Sequence, residues 1–159
     1  MTTDAHVQHA AAGRGHYLRL LWMGLLSFLA MYGLMYAMVD QFDNVVANVN
    51  QAYMAGLMAL PMVAIEILVM KPMYRDRRLN LAILLICAVG TVAFWLGIRE
   101  QVAVAERQFL RSMIPHHAGA ILMCEQADLT DAAILELCRQ IVDSQEAEIR
   151  QMKALLAER

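Results

Sequence analysis

The sequence predicts an all-α protein of three transmembrane helices followed by a two-helix hairpin, and three observations carry that prediction. Of its 159 residues, 60% are hydrophobic, and the mean hydropathy is positive. The excess is concentrated in three runs, Tyr17 to Val39, Ala52 to Met70 and Leu79 to Ile98. Each has about 20 residues, enough at about 1.5 Å of rise per residue to cross a hydrocarbon layer roughly 30 Å thick. After Arg99 the pattern changes to apolar positions at helical spacing among charged ones. Three buried helices of a soluble bundle are the alternative, but so short a chain cannot cover three wholly apolar helices on every side.

Taken in order, residues 1–16 read as a disordered cytoplasmic tail, with His6, His9 and His16 as weak metal-capture candidates. Residues 17–98 form the membrane region. Its first run is too long for the apolar core of a cleaved signal peptide and follows a weakly basic tail, so it reads as an anchor. The loop Asp40 to Gln51 contains two Asp and no Lys or Arg, whereas Lys71 to Asn80 contains Lys71, Arg75, Arg77 and Arg78. Positive residues stay on the cytoplasmic side. The tail and second loop are therefore expected to be cytoplasmic, and the first loop and everything after Arg99 external. Trp22 and Trp95 lie near span ends, where interfacial aromatics collect.

Residues 99–159 read as a helical hairpin. Val102, Phe109, Met113, Ala120 and Cys124 mark a stripe of its first helix, and Ala127 to Asp131 reads as a turn with Asp128 or Thr130 available as a cap. The second helix runs from about Asp131 to Leu156, with Ile134, Cys138, Ile141, Gln145, Glu148, Ile149 and Met152 on one face. Pro115 either restarts the first helix near Ser112 or kinks a continuous one, because it lacks an N–H and crowds the carbonyl of Arg111. A hairpin of about 60 residues buries too little surface to stand alone. It must pack on the membrane helices or on a second copy, which makes a homo-oligomer the expected state.

The chemistry lies in the run from Met113 to Cys124. At about 100° per residue, Met113, His116, His117, Ala120, Met123 and Cys124 share an arc of roughly 120°. Thioether, imidazole and thiol suit a soft or borderline metal, copper above all. Polar Gln145 and Glu148 interrupt the apolar face of the second helix, so an imidazole can meet them either as a metal-bound ring or simply as a satisfied buried polar group. Cys124 is free to join or distort such a site. A bond from Cys124 to Cys138 is not expected, since the hairpin register pairs Cys124 with about residue 134. Cys87, inside the third run, reads as a small buried apolar residue.

The segment Phe109-Leu110-Arg111-Ser112-Met113-Ile114-Pro115-His116-His117-Ala118-Gly119-Ala120-Ile121-Leu122-Met123, with Ile141-Val142-Asp143-Ser144-Gln145-Glu146-Ala147-Glu148-Ile149-Arg150-Gln151-Met152, resembles domain of unknown function family 305. That family is ferritin-like and helical, and its studied members bind copper in the bacterial periplasm. The three apolar runs resemble its membrane-anchored branch, through Met31-Tyr32-Gly33-Leu34-Met35-Tyr36 and Asn50-Gln51-Ala52-Tyr53-Met54. The resemblance implies Met113, His116, His117, Met123 and Met152 as ligands of copper, as Cu(I), with Gln145 and Glu148 in support. It also implies a ferritin-like four-helix bundle completed by oligomerisation.

Two other functions compete with copper sequestration or transfer. Met31, Met35 and Met38, and Met54, Met58 and Met62, recur at helical spacing within the runs. With Glu66, an ionisable group in a span, they define a candidate transport path, although methionine also fills helix contacts and Glu66 is near Lys71. The third reading is an oligomeric membrane scaffold without metal. Di-iron chemistry needs Glu-x-x-His motifs, and none occurs. No nucleophile–base pair marks an enzyme, and ten acidic against seven basic residues in Arg99 to Arg159 give no reason to expect nucleic-acid binding.

Overall fold

The computed structural model describes the backbone of residues 2–158 and the side chains of residues 15–158. It is helical throughout, with five long helices and no strand among the described residues: α1 (Thr2–Leu34), α2 (Val49–Val69), α3 (Arg77–Arg99), α4 (Glu106–Gln126) and α5 (Ala132–Ala157). The tail expected to be disordered is instead helical from Thr2, as the first part of α1, and the side chains of His6 and His9 lie outside the described residues.

The chain divides into two compact units, Met1–Tyr32 with Tyr53–Glu100, and Gly33–Ala52 with Gln101–Arg159. The expected hairpin of residues 99–159 is thus joined by residues 33–52. The first loop belongs with the hairpin because Val39 and Val46 pack on the hairpin core.

Three segments, Gly15–Met38, Val49–Val69 and Arg77–Arg99, are long and apolar enough to cross a membrane. Their apolar side chains largely face outward, with Leu21, Ile86 and Val89 each about two-thirds exposed, as a lipid-facing surface requires. Close approach of the helices depends on small residues. A Cβ at Gly56 would run into the ring of Phe94. At the end near the α2–α3 loop, Leu20, Ile67 and Tyr74 are buried together. Tyr17 donates to Asn80 Oδ1 (2.7 Å), and Asn80 Nδ2 donates to the Tyr74 carbonyl (2.8 Å). Asp76 caps α3 by accepting from the N–H groups of Arg78 and Leu79.

In the second unit α4 and α5 form an antiparallel hairpin. Leu110, Ile114, Ala118 and Ile121 of α4 bury against Ile149 and Met152 of α5. Residues 33–52 complete this core, and Ser112 Oγ donates to Asn48 Oδ1 (3.4 Å) and the Val49 N–H to Gln108 Oε1 (3.3 Å). Gly119 lies against the Met38 carbonyl. The hairpin thus avoids standing alone by using the first loop of its own chain. The α3–α4 turn places Gln101 (φ 49°) and Ala103 (φ 57°) in the left-handed region.

Several local expectations change. Pro115 sits inside one continuous helix. The cap of α5 is Asp131, whose side chain accepts from the N–H groups of Ala133 and Ile134, instead of Asp128 or Thr130. Ile134 is about half exposed rather than part of the packed face. Cys124 and Cys138 form a disulfide, with Cα atoms 5.3 Å apart, inside the usual bridging range. Pairing 124 with 134 centres the turn on residue 129. α5 begins only after Asp131, and the bonded pair centres the turn on residue 131, which moves the partner of Cys124 by four residues.

Candidate metal centre

The donor arc of α4 does not coincide with the face that packs on α5. The core residues Leu110, Ile114, Ala118 and Ile121 define a face whose centre lies roughly 100° around the helix from the centre of the donor arc. One edge of the arc therefore enters the core and the other leaves it. His117 is buried, and Met113 packs at the margin of the core. His116 is exposed, and Met123 is 58% exposed. The two rings remain neighbours, with centroids 6.1 Å apart and edge to face.

Both nitrogens of His117 have partners. Nδ1 lies 2.9 Å from the carbonyl oxygen of Met113, one turn back. A carbonyl only accepts, so Nδ1 carries a proton and donates. Nε2 lies 2.6 Å from Oε2 of Glu148, with one proton between them. Ser144 Oγ donates to the other Glu148 oxygen at 3.1 Å. The hydrogen bond from His117, then that from Ser144, hold the Glu148 carboxyl below its ordinary value, against a smaller opposing effect of desolvation. Glu148 itself is half exposed, so it can turn away into solvent. Nε2 is the nitrogen not committed to a backbone carbonyl, and a ligand taken there would have to displace Glu148.

The remaining predicted residues separate into distinct environments. Met152 is buried in the core beside Met113, so its thioether is reached only by opening the hairpin. Cys124 has no thiol to offer while bonded to Cys138. Gln145 is partly buried on α5. The Met113 carbonyl and Ser144 escaped sequence reasoning, although both stand four residues from a singled-out residue, the spacing that brings helical neighbours together. No three His, Cys, Asp or Glu side chains converge among the described residues.

Met35 and Met38 belong to a 3-10 turn, Met35–Met38, that follows α1 directly. Met54, Met58 and Met62 are each about two-fifths exposed on the outside of the first unit. Glu66 meets the hydroxyl of Tyr74 (3.5 Å) near the end of α2.

A family model described as a domain of unknown function (DUF305) matches residues 97–156. An uncharacterized protein of Acanthamoeba polyphaga mimivirus is 30% identical over 143 residues, covering 88% of this chain and 92% of the relative. The chain belongs to the DUF305 family. The match coincides with α4 and α5, and thus with every donor discussed outside the membrane-type helices. The similarity to the viral relative extends well beyond that hairpin. No solved structure matches the chain.

Proposed function

We propose that this DUF305 protein is a membrane-anchored copper-binding protein that presents a Met/His site on the periplasmic side of a bacterial inner membrane. The observation that carries this reading is that α4 holds soft donors its core does not use. A methionine serving only as apolar filler is buried, as Met152 is. Met123 and His116 instead face solvent, beside the marginal Met113 and the buried His117. Thioethers suit Cu(I) because they need no deprotonation, and imidazole completes a site of intermediate softness. Copper enters as cargo. Its arrival at His117 Nε2 displaces Glu148 and the proton they share.

Two further features support the compartment. A Cys124–Cys138 disulfide suits a non-reducing compartment, and the Lys and Arg bias of the loops favours the non-cytoplasmic side for α4 and α5. Phe109, His116 and Met123 recur every seventh residue along the exposed side of α4. A second copy packed along that stripe makes a four-helix bundle and brings two donor arcs together. The protein binds and hands over copper rather than catalysing a reaction. Anaerobic Cu(I) competition against a chromophoric chelator tests this. The Met113→Ala/His117→Ala protein loses most of its affinity, whereas equal affinity in both proteins would leave the hairpin as a scaffold.

A further inference from the structure

The basic loop between α2 and α3 frames a groove of about 480 Å³ at one end of the first unit. Ile67, Leu68, Leu81 and Leu84 form its walls, and Leu68 and Leu81 are about half exposed or more. Lys71, Arg75 and Arg77 stand around it, all exposed. None of the three has an acidic partner among the described residues, whose ion pairs all lie in α4 and α5. The neighbouring polar groups are already engaged. Asn80 bonds Tyr17 and the Tyr74 carbonyl, Glu66 meets Tyr74, and Asp76 caps α3. Three cations that make no ion pair, with the carboxylates of Asp76 and Glu66 nearby engaged elsewhere, thus adjoin an apolar cleft on helices apolar enough to cross a membrane.

We propose that this groove binds an anionic phospholipid, its phosphate held by Lys71, Arg75 and Arg77 and an acyl chain lying along Leu68, Leu81 and Leu84. The charge rule for orientation explains why cations occur in this loop, but not why they gather at a groove. A soluble phosphate has no use for exposed leucine walls, and a neutral lipid none for three cations. Basic pockets at the cytoplasmic ends of membrane helices are the expected place for acidic headgroups. The inference rests on the membrane-spanning helices and is independent of copper.

The test uses the purified full-length protein in neutral detergent. Dioleoylphosphatidylglycerol is expected to raise the thermal midpoint of wild type. Dioleoylphosphatidylcholine and inorganic phosphate are expected to leave it unchanged. Lys71→Gln/Arg75→Gln, which alters two exposed side chains and keeps Arg77 and Arg78, should lose the rise while keeping wild-type helicity. Native mass spectrometry of wild type in an equimolar mixture of the two lipids provides a readout that needs no variant, and phosphatidylglycerol should be retained in preference. Equal retention of both lipids, an equal rise with phosphatidylcholine, or a rise preserved in the variant overturns the proposal. A rise produced by inorganic phosphate alone overturns the lipid assignment.

Discussion

Replacing Cys124 and Cys138 together by serine is expected to loosen the turn end of the hairpin by a predictable amount. The bond joins residues 14 apart in sequence, closing a loop of about 15 residues, for which the chain-entropy treatment gives about 3 kcal/mol at 25 °C. That energy acts on any opening that separates the C-terminal end of α4 from the first turns of α5. Converted to an equilibrium constant, it corresponds to roughly a hundredfold increase in opening. Asp131 still caps α5, and the core around Ile114 lies farther along the hairpin, so the remainder of the unit should keep its protection. Hydrogen exchange of amides 125–140 measures this directly, comparing wild type with the double serine variant and with wild type under reductant. Protection unchanged to within about threefold in both comparisons would refute the idea that the bond clamps this end.

Other outcomes follow from the same packing. Ile114 is fully buried and Met123 is 58% exposed; Ile114→Ala should therefore cost about 2–5 kcal/mol and Met123→Ala less than about 0.5 kcal/mol, both read by chemical denaturation. Met152→Leu conserves volume in the core and should keep copper affinity, whereas His116→Ala/Met123→Leu should lower it; the reverse pattern in chelator competition would return Met152 to the ligand set. Ala103, held at φ 57°, should gain up to about 1 kcal/mol on replacement by glycine, seen as a higher denaturation midpoint. The Glu148 carboxyl is held low by His117 and Ser144. Its contribution is therefore complete above the ordinary carboxylate range and is lost as pH falls through the lowered value. The stability difference between wild type and Glu148→Gln should shrink as pH falls through the ordinary carboxylate range and below it, and a difference that grows on acidification would contradict the pairing.

Much of the fold was legible because the signals were local and long. Three apolar runs and a change to helical spacing after Arg99 suffice to place five helices. What was not legible depended on where elements meet. The disulfide was missed because helix register depends on the first residue of α5, and Asp128, Thr130 and Asp131 all satisfy cap chemistry. The donor arc was read as the packing face because Met113, His117 and Cys124 lie on the edge that both faces share. Sequence alone cannot decide which of two overlapping stripes a partner helix covers. The role of the first loop, which supplies Val39 and Val46 to the hairpin core, involves contacts across more than 60 residues and leaves no periodic trace. The meeting of a histidine with Glu148 was foreseen because buried polar groups need partners.

The most direct measurement is the metal content of the protein purified anaerobically from copper-supplemented cells, beside a Met113→Ala/His116→Ala/His117→Ala/Met123→Leu variant of confirmed helicity. The account predicts copper at a stoichiometric level in wild type and its loss in the variant. Copper at the same level in both proteins, or a wild type that retains none while folded and membrane-bound, would contradict it.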